Sequence, residues 1–121
     1  MTEDITGFEK GPLLDMEGAL SHVQGDREFL KEILKIFLDE IPGRLDEFRT
    51  ALNEKNLQKV ASAAHALKGV ALTIGAVSCN KLSAAIEISA RNDRFEEAAS
   101  IFPFLERILF KLKETIEGLE H

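Results

Sequence analysis

The sequence predicts an all-α fold: an antiparallel up-down-up-down four-helix bundle with an additional short helix on its N-terminal side. Three observations predict it. Apolar residues recur at spacings of three and four through most of the chain, which is the period of one helical face. No segment alternates apolar and polar residues between turn pairs, so strands have no signal. The turns that separate the periodic segments are short, and short turns between long amphipathic helices force neighbours to run antiparallel.

The elements follow in order. Met1 to Lys10 is polar and without period, and residues 1–11 read as a flexible leader. A short first helix starts at Asp15, an N-cap candidate, and runs through Leu20 to Val23. Gly25 stops it and Asp26 caps the next. The second helix carries the stripe Leu30, Ile33, Phe37, Ile41, Leu45, Phe48 and Leu52. Pro42 lies inside that stripe; it removes a backbone donor and predicts a kink near Leu38 to Ile41, not a break. Asn53 to Asn56 forms a tight turn, with Asn56 as the following cap.

The third helix has the seam Leu57, Val60, Ala64, Leu67, Ala71 and Ile74, whose alanines admit a close neighbour. Gly75 ends it in a left-handed conformation. Cys79, Leu82, Ile86 and Ala90 face inward from the fourth helix, which closes at Asn92 and Asp93. The fifth begins at Asp93, read with Glu96 as a weakened capping box. It continues through Phe95, Phe102, Leu105, Leu109, Leu112 and Ile116, with Pro103 inside it. The bundle thus spans 12–118. Residues 119–121, Leu-Glu-His, read as the remnant of a vector-encoded tag, and His121 receives no role.

Composition narrows the function. The 121 residues suit one domain. A hydrophobic fraction of 45% and a charged fraction of 30% are those of a folded protein. The net charge of −6 argues against nucleic acid as the main partner. No apolar run approaches the ~18 residues that span a bilayer. The single cysteine, Cys79, cannot form an internal disulfide, which fits a reducing, cytoplasmic compartment. No Gly-rich phosphate loop is present, so the chain is read as having no ATP site and no kinase activity of its own. His22, His65 and Cys79 lack metal-ligand spacing, and His22 reads as a cation capping the end of the first helix. The acidic pairs Asp39-Glu40 and Glu96-Glu97 read as solvated faces.

The informative segment is Ala64-His65-Ala66-Leu67-Lys68-Gly69. His65 follows the seam residue Ala64 by one position, so it lies on the flank of the buried stripe, within reach of solvent. Ala61, Ser62, Lys68, Gly69 and Leu72 share its strip. Gly69 is the telling member. A glycine inside a helix costs about 0.8–1.0 kcal/mol relative to alanine, and the use for the missing side chain is clearance for another protein to reach the imidazole. A neutral imidazole is a competent nucleophile near pH 7. A phosphoryl group on it carries negative charge that Lys68 can pair. No general base stands at a suitable spacing in the sequence, so the site reads as a passive carrier. Taken singly, His65 is a structural side chain at the edge of a stripe, Lys68 a solvated lysine and Gly69 a packing residue; together they favour phosphate chemistry.

These residues resemble the histidine-containing phosphotransfer (HPt) domain family. The match rests on Ala64-His65, Leu67-Lys68-Gly69 and Gly75-Ala76. It extends to Asp15 and Leu20, to the Phe37 region with Pro42, and to Ile86-Glu87, where the family usually has Leu-Glu. The resemblance covers about residues 13 to 118. It implies that His65 is the phosphoacceptor, that Lys68 supports the phosphohistidine and that Gly69 keeps the approach open. It also implies exchange with an aspartate of a response-regulator receiver domain, free or within a hybrid sensor histidine kinase. Mg²⁺ then belongs to the receiver, and this chain needs no cofactor and is monomeric. Cys79 and the apolar Val70 and Leu72 depart from the family pattern. Leu72 either belongs to an apolar docking patch with Ala61, Ser62 and Gly69, or packs against a neighbouring helix. The competing function is a helical adaptor without phosphate chemistry, which a buried His65 would favour.

Overall fold

The computed structural model describes residues 13–119. The leader expected over 1–11 and most of the expected tag lie outside them; Leu119 is the C-cap residue of the last helix. Five helices occur in the described residues: α1 (Met16–His22), α2 (Arg27–Asn53), α3 (Leu57–Thr73), α4 (Val77–Arg91) and α5 (Phe95–Gly118). α2 packs on α3, α3 on α4 and α4 on α5, and α5 returns to α2. Helices α2 to α5 therefore close a ring around one core, with Phe37, Phe48, Leu67, Leu82, Ile86, Leu105 and Leu109 fully enclosed. Phe48 and Phe102 meet across the α2–α5 contact with ring centroids 5.4 Å apart.

The caps explain where the chain turns. The Asp15 carboxylate accepts from the Gly18 amide, Asp26 from Phe29 and Asn56 from Lys59, each satisfying an amide that the first helical turn leaves free. The expected capping box at Asp93 is absent. Asp93 is in the left-handed region (φ 58°), and its amide donates to the Ala90 carbonyl. It is thus spent on closing α4. Arg94 becomes the N-cap residue of α5 and makes no side-chain cap. Pro42 and Pro103 both lie within unbroken helices.

The stripe of α2 shifts from the expected one at its ends. Leu34 and Ala51 are buried, whereas Ile33 and Leu52 are only partly so. A strict three-and-four repeat drifts around a straight helix by about 20° per heptad, and this helix has 27 residues. The centre of the stripe is unaffected.

The α3–α4 pair is the most closely associated in the bundle. Ala61, Ala63, Ala64 and Ala71 are all buried on α3, and small side chains let backbones approach. The turn between the two helices is held by α1. The Asp15 amide donates to the Gly75 carbonyl at 2.7 Å, and Ala19 is buried against the core. His22 does not cap its own helix. Its Nδ1 lies 2.9 Å from the carbonyl oxygen of Thr73, a group that can only accept, so the ring donates to the last carbonyl of α3. Cys79 is enclosed; burial pushes its thiol up to about 12, outweighing the lowering by Ser83 and Arg44. It behaves as a small apolar core residue.

Candidate functional site

The site is assembled on the α3–α4 pair. His65 projects from α3 with its side chain 65% exposed. Its neighbour Ala64 is fully buried, so one residue of rotation separates core from solvent. Gly69 lies one turn further along. A Cβ built there would meet nothing within 4 Å, so no packing demand accounts for the glycine. Ser62, one turn before His65, is exposed. Ala61 is not part of this surface: it is 4% exposed, and its methyl belongs to the contact with the neighbouring helices. The strip is therefore narrower than its spacing suggested. Leu72 is 62% exposed, so it does not pack against a neighbouring helix. It forms one wall of a hollow of about 150 Å³ that Val77, Asn80 and His22 also line.

The residue missed in the sequence as a working part is Glu87. It sits on α4 with its side chain only 8% exposed. Its Oε2 lies 2.9 Å from His65 Nδ1, and its Oε1 lies 2.7 Å from Lys68 Nζ. The Arg91 guanidinium donates to the same Oε2 from Nε at 3.0 Å and Nη2 at 2.9 Å. Burial alone would raise the Glu87 carboxyl. The bonds from Lys68, Arg91 and His65 overcome it and hold the carboxyl at about 2. Lys68 is thus a partner of Glu87 in this state, and not a free cation awaiting phosphate. Its backbone carbonyl is fixed by the Asn80 side-chain amide at 2.9 Å, which ties the start of α4 to the same turn of α3.

The geometry settles which ring nitrogen is free. An ionised carboxylate has no proton to give, so Nδ1 is the donor in the His65–Glu87 bond. In neutral imidazole that leaves the lone pair on Nε2, in a side chain that is mostly exposed. The arrangement resembles the carboxylate–histidine half of a hydrolase triad, in which the acid fixes tautomer and orientation. One signal for Glu87 was present in the sequence: an acid directly after the core residue Ile86, with Arg91 four positions on.

Among the described residues no three His, Cys, Asp or Glu side chains gather as a metal site, and no helix is long and apolar enough to cross a membrane.

The chain is similar to several known proteins. The phosphorelay intermediate protein rdeA of Dictyostelium discoideum is 26% identical over 107 residues, 88% of this chain and 42% of that protein. The chain thus spans less than half of that relative. Two crystal structures share the fold. Histidine-containing phosphotransfer protein B of Pseudomonas aeruginosa PAO1 superimposes with a TM-score of 0.82 at 23% identity, over 89% of this chain and 94% of that one. The HPT domain of a sensor hybrid histidine kinase from Shewanella gives 0.79 at 21% identity, over 88% and 92%. The Hpt domain family itself matches residues 32–121, a span that holds His65, Lys68, Gly69 and Glu87, and the chain belongs to that family.

Proposed function

We propose that His65 is the phosphoacceptor through which this Hpt-domain protein serves a two-component His–Asp phosphorelay. The carrying observation is the imidazole itself: 65% exposed, with Nδ1 bonded to Glu87 and Nε2 left free of that bond. In the forward step the Nε2 lone pair attacks the phosphorus of an aspartyl phosphate on a receiver domain. The N–P bond forms as the P–O bond to the aspartate breaks, and the receiver carboxylate leaves with the electron pair. No proton has to move. The Nδ1 proton stays on the ring, which gains positive charge, and Glu87 lies against that charge. Lys68 pairs with the phosphoryl oxygens. The reverse step delivers the group to a second receiver.

The protein is a carrier in this reading. With no Gly-rich loop in the sequence, ATP chemistry is assigned to the kinase, and Mg²⁺ to the receiver. Ser62, Gly69 and Leu72 form the docking strip around His65, where a receiver of hybrid or free-standing type would close. A buried His65 would have favoured the adaptor reading, and the ring's exposure removes that support.

The test is transfer of labelled phosphate from a phosphorylated receiver. Wild type takes up acid-labile label and His65→Gln takes up none; equal labelling of both refutes the assignment. Lys68→Ala slows transfer by roughly 10- to 100-fold, the scale of one lost charge-assisted hydrogen bond, with helicity unchanged by circular dichroism.

A further inference from the structure

The two oxygens of Glu87 are used unequally. Among the described residues, Lys68 alone holds Oε1, at 2.7 Å. His65 and Arg91 share Oε2, Arg91 with two donors at 3.0 and 2.9 Å. This division matters because a carboxylate against an imidazole pulls in two directions. It fixes the tautomer, but it also favours the imidazolium, which has no lone pair on Nε2 and cannot attack phosphorus. Permanent cations on the same carboxylate offset that pull. Lys68 is one such cation, and it is the one that an incoming phosphoryl group draws away. Its departure would leave a nearly enclosed carboxylate with the imidazole as its main partner, were Arg91 not there.

We propose that Arg91 is a positioning residue for phosphoryl transfer: it anchors Glu87 and counters its charge, so that Lys68 can leave the carboxylate for the phosphoryl group while His65 keeps a bare Nε2. This rests on His65 as the phosphoacceptor. Arg91 is suited to the task. It sits on α4 four residues from Glu87, so one helix sets their spacing. Both its donors reach one oxygen, leaving Oε1 to Lys68 alone. Its charge is permanent, whereas that of an imidazole is not. The other charged groups around this face are few. α3 packs on α4 and α2. α4 contributes Glu87 and Arg91. From α2, Asp46 and Glu47 line a groove that α3 edges with Lys59 and with Ser62, the latter one turn from His65.

The test separates this role from the relay itself. Imidazole ¹⁵N spectra of the unphosphorylated protein are followed against pH for wild type, Arg91→Ala, Arg91→Lys, Glu87→Gln and the double variant Glu87→Gln/Arg91→Ala. Removing Arg91 raises the pH at which His65 gains its second ring proton by about half a unit or more. Transfer from a phosphorylated receiver loses its acid limb over the same interval. Arg91→Lys restores most of both. In the Glu87→Gln background, where no carboxylate charge remains to be countered, removing Arg91 moves both by clearly less. The proposal is overturned if Arg91→Ala leaves the ¹⁵N titration in place, or if it shifts it equally with Glu87 replaced. A wild type that titrates as described but takes up no phosphate would instead defeat the relay reading and leave the Arg91–Glu87–His65 linkage standing.

Discussion

At the scale of single residues, Glu87 is the pivot of the site, and its titration has a definite sign. Its carboxyl is held at about 2 against an ordinary value of 4.5. The stabilisation it gives the fold is therefore complete above pH 4.5 and is lost as the pH falls toward 2. Glu87→Gln removes that dependence. Chemical denaturation from pH 6 to pH 2.5 is expected to show a smaller fall in stability for the variant than for wild type; parallel curves would contradict the network. Gly69 offers a second residue-scale prediction. Because nothing lies near its missing Cβ, Gly69→Ala stabilises the helix by about 0.5–1 kcal/mol, measured by urea denaturation. Gly69→Leu leaves helicity intact or raised, yet lowers the rate of transfer by obstructing the receiver. Survival of full transfer would remove the clearance argument. Much of this was legible in the sequence: His65, Lys68 and Gly69 announce themselves by spacing on one strip. Glu87 and Arg91 gave a weaker signal, an acid after Ile86 with an arginine four positions on, because the strip of His65 does not show which acid another helix brings to it. Ala61 erred the other way. It shares the strip by angle, but an alanine is too short to reach past the helix contact that covers it.

At the scale of elements, the helices were readable from their caps and stripes, and the exceptions are instructive. Asp15, Asp26 and Asn56 each cap as their residue type predicts. Asp93 carries the same chemistry but is left-handed, since the end of α4 claims it before α5 can; sequence preference does not say which of two adjoining helices wins a shared residue. Gly75 is where an element boundary becomes a tertiary requirement. Its φ is 74°, and a Cβ would sit 2.4 Å from the Asp15 carbonyl oxygen. The left-handed conformation alone costs an L-residue about 1–2 kcal/mol, and the clash adds to it. Gly75→Ala is therefore expected to destabilise the protein by more than about 2 kcal/mol in urea titration. A loss under about 0.5 kcal/mol would show that α1 can move aside cheaply. The contact of His22 with the Thr73 carbonyl was not foreseeable, because it joins helix ends that are remote in sequence.

At the scale of the whole molecule, labour is divided between two pairs of helices. α3 and α4 hold every group assigned to the chemistry, while α2 and α5 close the ring and supply much of the enclosed apolar volume. Core damage on α5 should consequently lower stability without altering the site. Leu112 is fully buried, and Leu112→Ala is expected to cost roughly 2–5 kcal/mol while the transfer rate per folded molecule stays at the wild-type value, with folded fraction read by calorimetry. A proportional fall in the intrinsic rate would mean that the far wall of the bundle tunes the imidazole. The ring itself was legible from the short turns; its closure by α5 against α2 followed from topology rather than from any pair of residues.

The tie between His65 on α3 and Glu87 on α4 has one more consequence. A histidine oriented by a neighbour on its own helix would keep its orientation in any fragment that stayed helical. Here the orienting acid arrives only when the second helix docks, so a half-folded chain presents an imidazole that nothing holds in the Nδ1–H form. On the proposal that His65 accepts the phosphoryl group, competence would then track assembly, and molecules that have not docked the second helix would be poor acceptors.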